Sequence, residues 1–302
     1  MIRIKGTIFV VFCLAAIFLA TGCAATKEIT KDITGKGGRL KKKIAFLPTL
    51  NKTGYGGDAL KESAIAHFKS FVESSCDDLV IIDSQETRNL LAGIPRLPSG
   101  QIDNLSLVKL GRTLGLNVVL EQVLSELECV EDKRGIWGFR NTSMLVQLSV
   151  RIRGYDIENG SILFEEVARE EIEVSEHDWQ NIKERRGYHN ELADRLLAKT
   201  MPEICETACE LVGNERWKGY ITAVSENTFI LTAGNDVGLA EGDVLEVFGM
   251  GEPIQGHAGQ SYLVSGPKIG ELKVTKIHGN RAEATGDLES DPQKSSHVKL
   301  KQ

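Results

Sequence analysis

The chain has 302 residues, with 36 lysines and arginines against 42 aspartates and glutamates, and its formal net charge is −6. Hydrophobic residues make up 41% of the sequence, which is enough to form a core in one large or two modest domains. The acidic balance, with no basic cluster beyond residues 39–43, argues against nucleic-acid binding.

The N-terminus has the pattern of a secretory signal that ends in a lipoprotein cleavage motif. Arg3 and Lys5 precede an uncharged apolar run over residues 7–20, which is shorter than the roughly 20 residues that a membrane-spanning helix needs. The run leads into Leu-Ala-Thr-Gly before Cys23, which is a lipobox. We predict a signal peptide over residues 1–22 and a diacylglycerol on the Cys23 thiol; the alternative is an ordinary signal peptide with a chance cysteine.

Lipid attachment at Cys23 predicts that the mature chain is held on a membrane of the bacterial envelope. Ala24 follows the cysteine in place of aspartate, and by resemblance to enterobacterial sorting this predicts the periplasmic face of the outer membrane. Arg3 and Lys5 leave with the signal, so the mature chain has 34 basic and 42 acidic residues and a net charge of −8. The polar residues 23–41 are predicted to be a flexible tether.

Four cysteines remain once Cys13 has left with the signal and Cys23 carries lipid. An oxidising periplasm permits disulfides, and four cysteines allow three pairings. Cys205 and Cys209 lie four residues apart on one face of a predicted helix, where buried small hydrophobic side chains are the favoured interpretation. A bond between Cys76 and Cys129 is left open. No metal site is predicted, because no histidine lies near these cysteines in the sequence.

Residues 42–212 show the alternation of short apolar strands and amphipathic helices that is typical of an α/β domain. Residues 43–48 predict a buried strand ended by proline, and residues 58–73 have the apolar spacing of a helix. Residues 83–86 offer a capping box for a helix that runs to Leu91. The other elements predicted before residue 130 are a strand at 79–82, a helix near 105–114 and a strand at 117–127.

The clearest strand signal lies at residues 144–153, where apolar and mostly polar side chains alternate. Asn159 and Gly160 tolerate the positive φ of a type I′ turn, and residues 162–164 are predicted to return as the partner strand. Residues 189–212 then have helical spacing, with Pro202 either kinking the helix or beginning a new one.

After residue 214 many short strands separated by glycine turns indicate a small barrel over residues 216–301, with a domain boundary near 213–216. Residues 249–266, which include Pro253, are predicted to be a glycine-rich loop. The strands predicted in this part are two within 217–231 around a turn at 225–227, one at 244–248 after a turn at 238–243, one at 269–277 and one at 281–285.

The motifs of known enzyme classes are missing from the sequence. The glycine-rich residues 53–58 lie between a strand and a helix, but they match neither the P-loop nor the dinucleotide pattern, so they are expected to shape a turn. The sequence has no nucleophile elbow and no paired zinc-binding histidines. We therefore expect no enzyme activity, no cofactor, no metal and no small-molecule substrate.

Trp137 and Phe139 are the candidate partner-contact residues, because they are two aromatic side chains among glycines in a predicted loop. A loop folded back onto its own core is an equally weighted alternative.

The order of these elements resembles the curli-secretion lipoprotein (CsgG-like) family. The periplasmic domain of TolB and the penicillin-binding-protein activator lipoproteins share its fold. The resemblance covers residues 42–212 and is carried by Lys-Lys-Ile-Ala-Phe-Leu-Pro at 42–48, Val-Val-Leu-Glu at 118–121 and the strand, turn and return strand of 150–163. Asn159 and Ser161 depart from the family's turn. The resemblance implies a three-layer α/β domain with a mixed sheet.

Residues 216–301 resemble the last domain of the flagellar assembly protein FlgT. The resemblance is carried by the turn at 238–243, the strand at 244–248 and Gly-Glu-Leu-Lys-Val at 270–274. It implies that a small SH3-like β-barrel follows the α/β domain. FlgT also carries a TolB-like domain before its barrel, but the lipobox is a departure from it.

The pore activity of the curli family is not expected here. Residues 164–187, the candidate membrane hairpin, include 12 charged residues among 24, and arginine or lysine facing lipid at mid-bilayer costs roughly 2–4 kcal/mol. We predict a lipid-anchored, non-catalytic assembly or docking factor for a flagellar or secretion ring, with envelope proteins as partners and a homo-oligomer left open. The alternatives are a curli-type export channel component and an activator of a peptidoglycan synthase.

Overall fold

The computed structural model describes residues 40–134, 141–292 and 295–301. The chain from Lys41 onward forms one compact unit. In it, a mixed sheet with helices on both faces is followed by a closed barrel of six antiparallel strands. The prediction of an α/β domain with a mixed sheet followed by a small β-barrel is therefore confirmed.

The sheet has the strand order β3-β1-β4-β5-β6, with the short strand β2 paired to β4. The first part is parallel, because β1 pairs in parallel with both β3 and β4. Strands β4, β5 and β6 then form an antiparallel meander. The bounds are β1 Lys42–Phe46, β2 Leu50–Asn51, β3 Leu79–Ile81, β4 Val118–Arg134, β5 Asn141–Asp156 and β6 Ile162–Glu173.

The described helices cover the two faces of this sheet unequally. Helices α1, α4 and α5 pack on one face, where Phe68, Trp179 and Leu196 join a large apolar core. Helices α2 and α3 pack on the other face with the smaller core around Leu91 and Leu107. The bounds are α1 Gly57–Ser75, α2 Gln85–Ala92, α3 Asn104–Leu114, α4 Glu176–Lys183 and α5 Asn190–Asn214.

Two helix details differ from the sequence prediction. The N-cap of α2 is Ser84, whose side chain accepts a hydrogen bond from the Thr87 amide, so Glu86 does not act in the predicted capping box. Helix α5 is continuous and holds Pro202 in its interior, so the prediction of a new helix at that proline is wrong. A 25-residue helix with a long buried face retains its packing despite one missing backbone donor.

The turn between β5 and β6 is not of type I′. That type needs positive φ at both central residues, whereas Gly160 alone among residues 157–161 has it, with φ +82°. The Asp156 amide instead donates to the Ser161 carbonyl across a longer loop, at 2.9 Å. The longer loop places the Glu158 side chain against the barrel, where Ser265 and Lys299 donate to it.

The barrel closes in the order β10-β11-β8-β7-β12-β9. Its interior is filled by apolar side chains such as Ile221, Leu245, Leu272 and Val298. The last strand, β12, was not predicted from the sequence. The bounds are β7 Gly219–Ser225, β8 Thr228–Leu231, β9 Val244–Gln255, β10 Ser261–His278, β11 Arg281–Thr285 and β12 His297–Leu300.

The predicted glycine-rich loop at residues 249–266 is wrong, because most of these residues extend β9 and β10 into a long hairpin. Its glycines are needed for close strand approach. A Cβ at Gly266 would lie 2.5 Å from the Gly249 carbonyl oxygen, and one at Gly251 would overlap the Val264 backbone. The composition that indicates a loop therefore belongs here to a bulged hairpin.

One disulfide closes the core on the α1 and α5 side. Cys76, the C-cap of α1, bonds to Cys209 on α5, with 5.9 Å between the Cα atoms. The pairing of Cys76 with Cys129 that the sequence left open is therefore wrong, and so is the expectation that Cys209 is simply a buried apolar residue. Cys205 is buried as a free thiol, and Cys129 is free and half-buried.

Candidate functional site

The residues predicted to carry function lie outside the described residues. Cys23 precedes residue 40, and Trp137 and Phe139 lie within residues 135–140. Lipid attachment and the aromatic partner contact therefore stay predictions. The described ranges contain no group of three or more His, Cys, Asp or Glu side chains that could hold a metal ion. They also contain no helix with the length and apolar composition needed to cross a membrane.

The glycine-rich loop before α1 forms a turn that is held by its own polar groups. The Asn51 amide Nδ2 donates to the carbonyls of Tyr55, at 2.7 Å, and Gly57, at 3.1 Å. The Tyr55 hydroxyl accepts a hydrogen bond from the His189 amide at 2.9 Å, which ties the loop to the start of α5. The side chain of Asn51 thus replaces the backbone partners that a tight turn lacks.

One face of the antiparallel part of the sheet is exposed. The core residues of β4, β5 and β6 point to α1, α4 and α5, and α2 and α3 pack near the barrel end of the other face, on Ala45, Val119 and Tyr155. Away from the barrel end, past Arg153, the other face carries mostly polar and charged side chains, with Val130, Leu145 and Val167 among them. Val167 is 51% exposed. We call this surface the open face; it is formed by those residues of 126–132, 143–153 and 165–173 whose side chains point away from α1, α4 and α5.

Paired charges run across the open face in rows that follow the strand register. Arg153 is opposite Glu121 on one side and Glu165 on the other, and its Nη2 lies 2.6 Å from Glu165 Oε2. Arg169 Nη2 lies 2.7 Å from Glu128 Oε2 on the far strand. Cross-strand pairs of opposite charge contribute roughly 0.2–1 kcal/mol each, and together they give the open face an alternating pattern of charge.

The outer edge of β6 is protected by α5. Strand β6 is the last strand of the sheet, so alternate backbone groups on its far edge have no strand partner. Lys199 Nζ donates to the Glu171 carbonyl at 2.8 Å, and Arg195 Nη2 donates to the Glu173 carbonyl at 3.3 Å. Basic side chains placed over edge carbonyls discourage pairing with a further strand. The open face is therefore better suited to binding than this part of the edge.

A buried ionic cluster joins the sheet to the barrel. Lys218, just before β7, is buried, and its Nζ lies 3.0 Å from both Asp156 Oδ1 and Glu158 Oε2. Burial alone would lower the pKa of Lys218, but the two carboxylates outweigh it and raise that pKa. The lysine therefore stays charged, and its two carboxylates lie at the end of β5 and in the loop that follows it.

Glu158 is the centre of this cluster. Its Oε1 accepts hydrogen bonds from Ser265 Oγ at 2.6 Å and Lys299 Nζ at 2.8 Å, both from barrel strands. His297 Nε2 lies 3.2 Å from the same oxygen, although the ring is not aligned for a hydrogen bond. Burial would raise the pKa of Glu158, but these partners and Lys218 hold it well below its usual range.

Arg112 at the end of α3 fastens the same interface through backbone oxygens. Its guanidinium donates to the carbonyls of Ile157 at 3.3 Å and Ser295 at 3.1 Å, and also to that of Glu158. It also lies over the fully buried Tyr220 ring, 5.6 Å from the centroid. Burial lowers the pKa of Arg112 and raises that of Tyr220. These interactions fix the barrel on the sheet.

Sequence reasoning missed this interface. The sequence predicts only a turn at residues 157–161 and no role for Lys218 or His297. The available signal was weak: two acids in a turn and one lysine after a helix are common on surfaces. The contacts span 62 and 141 residues of sequence, which local patterns cannot reveal.

Comparison with known proteins gives no family assignment. No family model matches the chain, and no curated protein matches it. The predicted membership of the CsgG-like family and the FlgT likeness therefore stay predictions.

Several solved structures are similar to part of the chain. A hypothetical protein from Chlamydia trachomatis is 18% identical, covering 57% of this chain and 98% of its own, with a TM-score of 0.39. Lipoprotein GNA1162 from Neisseria meningitidis is 14% identical, covering 55% and 99%, with a TM-score of 0.32. The LpoB C-terminal domain from Escherichia coli is 12% identical, covering 50% and 94%, with a TM-score of 0.30. Similarity at this level does not assign a function.

Proposed function

We propose that this protein is a lipid-anchored, non-catalytic docking factor of the bacterial envelope, and that a protein partner covers its open face. The observation that carries the proposal is the open face itself. Three long strands present paired charges around Val167, while α1, α4 and α5 pack against the opposite face. The lipobox at Cys23 supplies the membrane attachment in this proposal.

The energetics of the open face support a role in recognition rather than in stability. Exposed ion pairs contribute little to folding, about 0–1 kcal/mol each. The same charges, held in register on a rigid sheet, give a partner a fixed electrostatic pattern to match, which governs specificity and association rate. The favoured client is a flagellar or secretion ring at the periplasmic face of the outer membrane.

Photocrosslinking in cells tests this role. A photoreactive amino acid at Val167, in the open face, is compared with the same residue at Val224 on β7 of the barrel. Val224 is a matched control because it is a strand valine of similar exposure, 44% against 51%. We expect one envelope protein to crosslink at residue 167 and not at 224. The charge reversal Arg169→Glu should then abolish co-purification of that protein.

The identity of the crosslinked protein distinguishes the candidate clients. A ring component supports the favoured client, and a peptidoglycan synthase supports the activator alternative. Equal crosslinking at both positions, or co-purification unchanged by Arg169→Glu, would show that the open face is not a docking surface.

The membrane attachment has its own test. Cys23→Ala removes the acylated thiol, so we expect the variant to leave the membrane fraction or to remain uncleaved. A Cys23→Ala protein that is processed and still fractionates wholly with membranes would contradict the lipobox.

A further inference from the structure

A cavity of about 200 Å³ lies beside the end of α4, on the side of β4 opposite the open face. Its wall combines apolar side chains with two cations, a thiol and two hydroxyls. It is lined by Thr53 and Tyr55 from the glycine-rich loop, Leu127 and Cys129 from β4, and Ile182, Lys183 and Arg185 from the end of α4.

Arg185 occupies a position that normally belongs to glycine. Helix α4 ends in a Schellman motif, in which the Arg186 amide donates to the Asn181 carbonyl at 2.7 Å and the Arg185 amide to the Ile182 carbonyl at 3.0 Å. The residue at the centre of this motif is left-handed and is most often glycine. Arg185 has φ +57° there, a conformation that costs energy for any residue with a Cβ. Fold stability therefore does not account for an arginine at this position.

The backbone of the glycine-rich loop is shaped around the Arg185 side chain. Gly54 has φ +70°, and a Cβ at that position would lie 2.7 Å from Arg185 Nη1. The loop is in turn anchored through the Tyr55 hydroxyl to the His189 amide. The Arg185 guanidinium thus packs against the backbone of Gly54 at the wall of the cavity, in space that any other side chain at position 54 would occupy.

The two cations of the cavity have no carboxylate partner among the described residues. Lys183 Nζ lies over the Trp179 ring, 4.2 Å from its centroid, and Arg185 makes no ion pair within the described ranges. The neighbouring Arg186 is different, because its Nη2 lies 2.5 Å from Glu184 Oε2. Glu131, two residues along β4 from Cys129, pairs with Lys133 at 3.7 Å. Neither cation of the cavity therefore has a carboxylate within ion-pair distance among the described residues.

We propose that this cavity binds a carboxylate, with Arg185 and Lys183 holding the charged head and Leu127 and Ile182 contacting an aliphatic stem. A guanidinium fork matches a carboxylate in geometry and donates two hydrogen bonds to it. The wall is mainly polar, but Leu127 and Ile182 add an apolar part that a carbon-bearing acid can contact and a bare inorganic anion cannot. Two sources share this chemistry: an acidic side chain of a protein partner and a small free acid. The site does not depend on the proposed role of the open face.

Cys129 provides a built-in reporter of occupancy. It is a free, half-buried thiol in the cavity wall, whereas Cys205 is fully buried and Cys76 is disulfide-bonded to Cys209. A ligand in the cavity should slow alkylation of Cys129 by iodoacetamide, which mass spectrometry of the Cys129 peptide measures. The full chain in detergent is used. The probes are N-acetylglutamate, the peptide acetyl-Gly-Glu-Gly-amide, its glutamine counterpart and inorganic phosphate.

We expect the two carboxylate probes to protect Cys129 from alkylation. The glutamine peptide and phosphate should give no protection. Arg185→Gly should weaken protection by about tenfold or more, as expected when charge-assisted hydrogen bonds are lost. It should also raise the denaturation midpoint or leave it unchanged, since glycine suits the left-handed position. Lys183→Gln should weaken protection as well. Burial raises the pKa of Cys129, whereas the charge of Lys183 lowers it. The alkylation rate of each variant with probe is therefore compared with the rate of the same variant without probe.

Arg186→Gln is the matched control, because Arg186 is adjacent, exposed and already paired, and it should leave protection unchanged. Stronger protection by the peptide than by the free acid identifies a protein partner as the source, and the reverse identifies a small acid. Three results would each contradict the proposed carboxylate site: protection that persists in Arg185→Gly, protection by phosphate alone, or no protection by either carboxylate probe.

Discussion

His297 connects the stability of the interface to pH at the scale of a single residue. Burial lowers the pKa of His297, Lys299 and Arg112 lower it further, and the contact with Glu158 opposes them. As pH falls below the ordinary histidine value of 6.5, the unfolded chain takes up a proton that the folded ring resists. The folded state therefore loses stability as pH falls, with a maximum slope of about 1.4 kcal/mol per pH unit from this one group.

The variant His297→Gln tests this linkage. It removes the titrating group and the stacking of the ring on Phe248, so its stability at pH 7.5 should be lower than that of the wild type. The further decrease in the free energy of unfolding between pH 7.5 and 5.5, measured by urea unfolding, should be smaller in the variant than in the wild type. Equal pH dependence in the two proteins would show that His297 titrates as it does in the unfolded chain. Glu158, with its lowered pKa, adds its own loss only below its ordinary value of 4.5.

The role of a residue could be predicted from the sequence only where that residue belongs to a contiguous motif. The lipobox at Cys23 is a contiguous motif, so the sequence supports a definite prediction there. Glu158 and Lys218 have no such signature, because each is defined by partners from distant segments. Arg185 is intermediate: its chemistry is readable, but its left-handed position after α4 becomes visible only when the end of that helix is known.

At the scale of elements, the disulfide between Cys76 and Cys209 fixes the end of α1 against α5. The two cysteines are 133 residues apart, and closing a loop of that length stabilises the fold by about 4–5 kcal/mol in the chain-entropy model. Reduction, or the pair Cys76→Ser and Cys209→Ser, should therefore lower the denaturation midpoint substantially.

Cys205→Ser and Cys129→Ser are the controls for that loss, since neither thiol takes part in the bond. Burial raises the pKa of Cys205 to about 12, so it should remain a thiol and not compete for Cys209. Peptide mapping under non-reducing conditions should recover Cys76 joined to Cys209. Recovery of Cys76 joined to Cys205 or Cys129, or an unchanged midpoint after reduction, would refute this assignment.

The elements that were predicted well have strong periodic patterns. The alternation at 144–153 lies within β5, and the helical spacing of 58–73 lies within α1. One prediction of an element failed where glycine can either form a loop or let two strands approach closely. At residues 249–266 glycine permits close approach of β9 and β10, whereas the sequence pattern favours a loop. Strand β12 has four residues and was missed because it is too short to show alternation.

At the scale of the whole molecule, the sequence predicted the order of the two architectures but not how they are joined. The barrel contacts the α/β part through Asn117, whose Nδ2 donates to the Lys218 carbonyl at 2.9 Å, and through Lys43, whose Nζ donates to the Thr232 carbonyl at 2.8 Å. The hairpin of β9 and β10 adds a hydrogen bond from the Leu263 amide to the Asn159 carbonyl at 3.0 Å. These contacts should make the two parts unfold together.

Lys218→Ala tests that cooperativity. The substitution leaves the carboxylates of Asp156 and Glu158 buried without their shared cation, and breaking a buried pair in this way costs about 3–5 kcal/mol. In the wild type, barrel and sheet probes should give one urea transition. Trp137 and Trp179 are replaced by phenylalanine in every protein compared, so that the fluorescence comes from Trp217, a buried residue next to position 218. In the variant, this fluorescence should change at lower urea than the helical circular dichroism. The helices belong to the α/β part, so the two signals separate the two parts.

Lys268→Ala is the matched control for this experiment. Lys268 also holds two carboxylates, with Glu246 at 2.8 Å and Glu271 at 2.7 Å, but on the exposed wall of the barrel, where solvent screens the pair. Its removal should leave the transition single and nearly unshifted. A single transition in Lys218→Ala, shifted no further than in Lys268→Ala, would mean that the interface is held by its apolar and backbone contacts alone. Two transitions in Lys218→Ala with one in Lys268→Ala would identify the buried cluster as the link that makes sheet and barrel one folding unit.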